Sequence, residues 1–488
     1  MGEMIPNWLL QRTHLTPTRT ALVFNEQTWS FQELKEIVLD YAMKLSGYSI
    51  SHHSRVAILM KNRPKTVFLV HALQLVGAEI VFLNSRLTAS ELSYQINDSE
   101  TTVLFYDLDF STTAEDLERL CADLQSCSIE DLITSAKHIV NIHSEFDLDD
   151  ISSIMYTSGT TGKPKGVQQT YGNHWWSAIG SSLNLGIQEN DAWLCTVPIF
   201  HISGLSILMR SVIYGIPIFL MEEFNEEYAN SLLQSGKVTI MSVVTAMLNR
   251  MLTALKDESY HENFRCMLLG GGPAPLPLLE KCAKKHIPVF QSYGMTETAS
   301  QIVTLSPEDS FKKLGSAGKP LFPAQIKIVR NDGKDASALE TGEIALKGPN
   351  ITPGYLHHDM SVCDGWFLTG DLGYLDEDGF LYVQDRRSDL IISGGENVYP
   401  AEIEAVLMAH ETVYEAGVTG INDTTWGQVA YAFIVGQNVT EEELLQFCRE
   451  KLASYKIPKR IIQVKELPRN AANKLVRGKL RLLIEGRN

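Results

Sequence analysis

The chain has 488 residues, 44% hydrophobic and 20% charged, enough for two or three compact units around a large core. Its 58 acidic against 42 basic side chains leave a formal net charge of -16, which excludes a nucleic-acid footprint and reads as solubility. Seven cysteines without a CxxC pair, no basic-then-apolar leader and no unbroken apolar span argue against a disulfide framework, a structural zinc site and a membrane segment, so the expected setting is the cytosol.

Helix and strand signals alternate from the start. Ser30 and Glu33 have capping-box spacing ahead of Leu34, Ile37, Val38, Tyr41, Ala42 and Leu45, which share one helical face. "RVAILM" then reads as a buried strand, a helix is predicted from Pro64, and "AEIVFL" reads as the next strand. Thr88 and Glu91 make a second capping box, followed by the strand "TVLFY". This β-α-β alternation predicts an α/β fold of mainly parallel sheets flanked by helices. The segment 110–145 is polar and weakly patterned, as for solvated helices.

Near Asp385 the pattern changes. A short helix signal, "AEIEAVLMAH", precedes the strands "EAGVTG" and "VAYAFIVG", and a third capping box, Thr440 with Glu443, opens an amphipathic helix. These elements predict a small C-terminal α+β unit. The charged, glycine-containing stretch "DRRSDLIISGG" reads as the hinge, which divides the chain into 1–387 and 388–488.

Four motifs carry chemistry. In "MYTSGTTGKPKGV" (155–167), nine of thirteen residues are Gly, Ser, Thr or Lys, as in a loop whose backbone N–H groups and lysines hold phosphate. It is no P-loop: two residues separate Gly159 from Gly162 where four are needed, and Pro164 follows Lys163 where Ser or Thr should stand. On its own it also fits a surface turn. "LLGGGPAP" (268–275) ends an apolar strand in three glycines, where bare backbone admits a flat base, or simply a strand-to-helix turn. "SYGMTET" (292–298) places Thr296 and Glu297 at a strand's carboxyl end, where open α/β sheets bind ligands. In "TGD", Asp371 is able to accept two ribose hydroxyls, or is a turn residue.

In this order, the motifs resemble those of the acyl-adenylate-forming superfamily of acyl-CoA ligases, luciferases and adenylation domains. The likeness runs from the N-terminal helix to "LPRNAANKL". It implies a large N-terminal ATP- and acid-binding domain and a small mobile C-terminal domain. ATP, Mg2+ and CoA are the implied cofactor and co-substrates, and a small carboxylic acid is the implied partner; a homo-oligomer is left open. The resemblance assigns Thr157, Ser158, Gly159, Thr160, Thr161, Gly162, Lys163 and Lys165 to the phosphate loop. Gly271, Gly272 and Pro273, with Ser292, Tyr293 and Gly294, match the adenine segments. Thr296 matches an α-phosphate contact, Glu297 the magnesium ligand, and Asp371 and Arg386 the ribose contacts.

By the same likeness, His201 in "PIFHISG" stands beside the acyl carboxylate, with Ser203 and Gly204 lining the acid site. Lys474 matches the catalytic lysine, Ser388 the hinge, and Ser393, Gly394, Gly395 and Glu396 the thiol tunnel. Two positions depart from the family pattern. Asn473 replaces the usual Gly before the lysine, and Ser388 the usual Asp or Lys.

Within the superfamily, the stretches "FHISGLSILMRSVIYG" and "QSYGMTETASQIVTLSP" most resemble CoA ligases of an aromatic acid with a second carboxylate. Such an acid needs a cation. Arg210 is the candidate, with Ser300 and Gln301 as alternative polar contacts; its other reading is a core-edge arginine with its head in solvent. A ligase for another aryl or medium-chain acid is the alternative enzyme. A non-catalytic acyl-adenylate sensor should lack some of Lys165, Glu297, Asp371 and Lys474, and all four are present.

Overall fold

The computed structural model describes residues 2–485 except 158–163, 272–273, 387–388, 394–395, 424–425, 453 and 470–474. Two large sheets dominate. In the first, Ile151–Thr157, Glu79–Phe82, Arg55–Leu59, Val103–Tyr106 and Gln125–Ser128 are successive parallel neighbours, and Lys165–Thr170 and Gly354–Tyr355 close one edge antiparallel. In the second, Val289–Met295, Cys266–Gly270, Ile240–Val244, Trp193–Cys195, Ile218–Leu220 and Thr20–Phe24 run parallel in that order. Ser300–Leu305 folds back antiparallel on Val289–Met295. Strands buried on both faces read as continuous apolar runs, as "RVAILM" does.

All three predicted capping boxes form, at Ser30/Glu33, Thr88/Glu91 and Thr440/Glu443. A fourth, Thr170/Asn173, opens the helix Tyr171–Leu185. The predicted helical face is buried at Leu34, Val38, Tyr41, Ala42 and Leu45. The segment 110–145 holds the expected helices, Ser111–Leu120 and Ile129–Thr134, and also an edge strand, Gln125–Ser128, that its polar sequence does not announce.

A third sheet, wholly antiparallel, runs from Gln325–Val329 through Gly342–Lys347 to Trp366–Leu375, which pairs with Leu381–Arg386. The C-terminal unit is α+β as expected. Its long hairpin Val413–Asp423/Gly427–Gly436 carries a separate core of Ile391, Val398, Ile403, Leu407, Val418, Ala432 and Leu444. No helix among the described residues is long and apolar enough to cross a membrane, and none of the seven cysteines is paired.

Candidate active site

The carboxyl ends of three strands meet at the seam between the two large sheets. Ile151–Thr157 and Lys165–Thr170 form a hairpin with Thr157 opposite Lys165. Its connecting residues Ser158, Gly159, Thr160, Thr161, Gly162 and Lys163 lie outside the described residues. Cys266–Gly270 ends at Gly271, and Gly272 and Pro273 likewise lie outside. Val289–Met295 leads directly into a single turn, Thr296–Thr298.

Side chains lock these ends together. Gln169 Nε2–H donates to the Thr296 carbonyl at 2.6 Å, linking one large sheet to the other. The Thr352 N–H donates to the Glu297 carbonyl at 2.8 Å, and Asn350 Nδ2 to the Thr298 carbonyl at 3.0 Å. Behind Gln169 runs a directional relay. Ser153 Oγ–H donates to Gln169 Oε1 (2.7 Å), so it accepts from His174 Nε2–H (2.9 Å). Burial, and secondarily the Arg210 charge, push the His174 pKa down to about 3, which keeps the imidazole neutral.

Glu297 is half-buried, and its Oε1 accepts from Tyr355 O–H at 2.9 Å. The Lys165 ammonium lies 5.3 Å from the centre of the same Tyr355 ring. Tyr355 thus stands between a cation and a carboxylate that the sequence placed 132 residues apart, and no sequence signal singled it out. On the adjoining strand, Tyr293 O–H donates to Asp371 Oδ2 at 2.8 Å. Asp371 is buried and pairs across the antiparallel ladder with Arg386, whose side chain lies outside the described residues. Ser292 Oγ–H donates to the Leu269 carbonyl at 3.1 Å, which ties the two expected adenine segments together. A side chain at Gly294 would collide with the Ser300 carbonyl, so only glycine closes this bulge.

The residues expected on the acid side lie on the next elements. His201 sits at the N-terminus of the helix Ile202–Tyr214, its ring 4.7 Å from that of Phe200. Ser203 is exposed on the first turn and Gly204 is buried behind it. Ser300 holds φ at 107°, an unfavourable conformation for a non-glycine residue that costs on the order of 1–3 kcal/mol and survives only where neighbours over-determine it. Thr298 Oγ1–H donates to its carbonyl (2.7 Å), and Ser206 Oγ lies 3.3 Å from its hydroxyl. Gln301 is buried, and its Oε1 has no hydrogen-bond partner among the described residues.

Arg210 does not extend its head to solvent. It is 1% exposed, its guanidinium carbon 5.3 Å from the centre of the Trp193 ring and Nη2 3.5 Å from Ser177 Oγ. Ser177 in turn donates to the Ala299 carbonyl at 2.6 Å, so Arg210 is one side chain removed from Ser300. Burial lowers its pKa, yet a guanidinium stays charged at neutral pH. Among the described residues no carboxylate pairs with it, and its buried Nε has no hydrogen-bond partner. His174, Ser177 and Trp193, which surround it, were not legible as site residues because each is an ordinary core residue in its own segment.

In the C-terminal unit, Ser393 is buried and faces Glu396 across the hairpin Ile391–Ser393/Glu396–Val398. Gly394, Gly395, the Glu396 side chain, Ser388 and Lys474 lie outside the described residues.

Strand ends that converge at a seam, beside a carboxylate held by a tyrosine, suit a nucleotide-binding enzyme. The chain belongs to the AMP-binding enzyme family, whose sequence pattern matches residues 10–356, and the pattern of the AMP-binding enzyme C-terminal domain matches residues 402–474. It is similar to the 2-succinylbenzoate--CoA ligase of Geobacillus sp. (strain WCH70), 55% identical over 99% of this chain and 98% of the relative. Its structure resembles the o-succinylbenzoate CoA synthetase of Bacillus subtilis in complex with the acyl-adenylate intermediate OSB-AMP. The TM-score is 0.94 at 48% identity, covering 98% of each chain. A double mutant of that synthetase, bound to its product analogue OSB-NCoA, matches at a TM-score of 0.77 with the same 48% identity, covering 98% of this chain and 99% of the other.

Proposed function

We propose that the chain is an AMP-forming CoA ligase for o-succinylbenzoate, the acid-activating step of menaquinone biosynthesis. The acid's succinyl carboxylate oxygen attacks the α-phosphorus of ATP and pyrophosphate leaves; the CoA thiolate then attacks the acyl carbon and AMP leaves. Family membership and 55% identity to a ligase of that name support the reaction.

One observation supports the choice of acid. Arg210 is a fully buried cation without a carboxylate partner among the described residues, on the helix that begins at His201. A buried charge is costly unless paired, and the ring carboxylate of o-succinylbenzoate supplies the pair. The monocarboxylate alternatives give Arg210 nothing to bind.

The proposed roles follow the family likeness. Thr157, Ser158, Thr160 and Lys165 would hold the β- and γ-phosphates, and Gly271–Pro273 with Ser292–Gly294 would face the adenine. Asp371, held by Tyr293, would accept the ribose hydroxyls beside Arg386. Glu297 fits a magnesium ligand, as a half-exposed carboxylate held from one side by Tyr355; the ion would offset phosphate charge. Thr296, whose carbonyl Gln169 fixes, would contact the α-phosphate, and Lys474 would stabilise charge as pyrophosphate departs.

Residues 1–387 and 388–488 would form separate domains that swing about Ser388, bringing Ser393–Glu396 to the thiol. The two Bacillus subtilis structures support this swing: at equal identity they match this chain at 0.94 and 0.77, as expected of one fold in two arrangements.

The test is pyrophosphate release from o-succinylbenzoate, 4-oxo-4-phenylbutanoate, benzoate and octanoate, with and without CoA. The expected result is turnover of o-succinylbenzoate well above the others, with AMP and a CoA thioester as products. Equal rates for octanoate, or no release with o-succinylbenzoate, would overturn the reading.

A further inference from the structure

At the amino-terminal end of the first large sheet's parallel strands, opposite the ends that meet at the seam, three side chains from distant segments meet. His52 and His53 lie in the turn before strand Arg55–Leu59, and Asp150 immediately precedes strand Ile151–Thr157. His53 adopts a left-handed backbone (φ 65°), and the consecutive imidazoles stack at 3.7 Å with 29° between their planes. Both face one carboxylate: His52 Nε2 is 2.9 Å from Asp150 Oδ2, and His53 Nε2 is 3.9 Å from Oδ1. One donor atom from each of the three lies within 4.8 Å of the others.

The surroundings favour this cluster. The His143 ring centre is 4.6 Å from that of His52 and flanks the cluster. Gly77 makes room, since a Cβ there would stand 2.7 Å from His52 and 3.0 Å from His143. Its carbonyl accepts the His53 N–H at 2.9 Å. Glu79 lies 3.6 Å from His53 Nδ1 and is engaged by Arg55 at 3.0 Å, so it contributes charge without being free to ligate. The His52 and His53 side chains are 41% and 54% exposed, which leaves an entry path.

We infer that His52, His53 and Asp150 form a binding site for a borderline divalent transition metal, Zn2+ first. The donor set decides the class: imidazole nitrogens with one carboxylate suit zinc, whereas magnesium and calcium take oxygen ligands. Tetrahedral zinc, with bonds of about 2.0–2.2 Å, holds its donors roughly 3.3–3.5 Å apart. The exposed imidazoles reach that spacing by side-chain rotation. The site lies apart from the proposed chemistry and acts as a clip, fastening the 52–53 turn to the start of the strand whose other end carries the phosphate loop. It does not rest on the identity of the acid.

The experiment uses the tag-free, metal-stripped full chain, titrated with Zn2+ by calorimetry and with Co2+ by its visible spectrum. The expected result is one Zn2+ equivalent that displaces Co2+ and raises Tm. The double variant His52→Ala/His53→Ala, and separately Asp150→Asn, should weaken Zn2+ more than about ten-fold, the loss that even an outer-shell partner can cause. Both should keep the wild-type circular dichroism and pyrophosphate-exchange rate. Cys363→Ser, removing the exposed thiol, should bind as wild type. The proposal is overturned by undiminished Zn2+ binding in the histidine variant, by loss of binding in Cys363→Ser, or by the absence of one-equivalent binding in the wild type.

Discussion

The Tyr293 hydroxyl donates to Asp371 Oδ2 at 2.8 Å, across 78 residues of sequence. This bond joins the strand expected to face the adenine to the strand expected to hold the ribose. Tyr293→Phe keeps the ring and releases the carboxylate. Hydrogen bonds to charged groups are worth about 1.5–3 kcal/mol, so KM for ATP should rise about ten-fold with kcat little changed. An unaltered KM in pyrophosphate exchange would separate Asp371 from nucleotide binding.

Tyr355→Phe frees Glu297 on its other side. If Glu297 ligates magnesium, the Mg2+ concentration for half-maximal rate should rise about ten-fold or more, as for loss of an outer-shell partner. At saturating Mg2+ the rate should recover substantially. A loss independent of Mg2+ would place Tyr355 in packing alone.

Arg210→Met tests acid recognition. For o-succinylbenzoate kcat/KM should fall by roughly 2 kcal/mol or more, as for a buried charge pair losing one partner. For 4-oxo-4-phenylbutanoate, which lacks the ring carboxylate, it should fall far less. Equal losses on both acids would assign Arg210 to the core.

Lys474→Ala should slow adenylation by about 10²–10³, the usual cost of one transition-state donor. Thioester formation from supplied acyl-adenylate should be spared. Equal damage to both half-reactions would remove the lysine from its proposed role.

Two buried histidines set an acid limit on stability. Burial lowers the pKa of His71 to about 4 and of His174 to about 3, from an ordinary 6.5. Below pH 6.5 the unfolded chain binds protons that the folded chain refuses, so this stabilisation is complete above 6.5 and is lost as pH falls. At pH 5 each histidine forfeits up to about 2 kcal/mol. Urea unfolding of His174→Asn should depend less on pH between 7 and 5 than wild type does; an identical slope would remove His174 from the acid lability.

Local signals were read well from the sequence. Capping boxes need only three-residue spacing, and the glycine- and hydroxyl-rich loops sit at strand ends because turn chemistry is written in adjacent residues. The edge strand Gln125–Ser128 was missed because "QSCS" has neither alternation nor β-branched residues. The His174–Ser153–Gln169 relay and the Tyr355–Glu297 bond escaped notice for another reason: their partners are brought together only by the packing of distant segments. Arg210 could be named from its motif, but that its head is buried rather than in solvent depends on packing, which no single segment encodes.

A charged side chain sealed in the core without a counter-ion among the described residues has an evolutionary consequence. Selection for folding alone would replace Arg210 with an apolar residue, because such swaps commonly stabilise a buried site. If Arg210 pairs with the acid's second carboxylate as proposed, the arginine persists only while the cell needs that acid. A lineage that lost this need would drift toward a sturdier enzyme with a broader diet, and position 210 is where that divergence would begin.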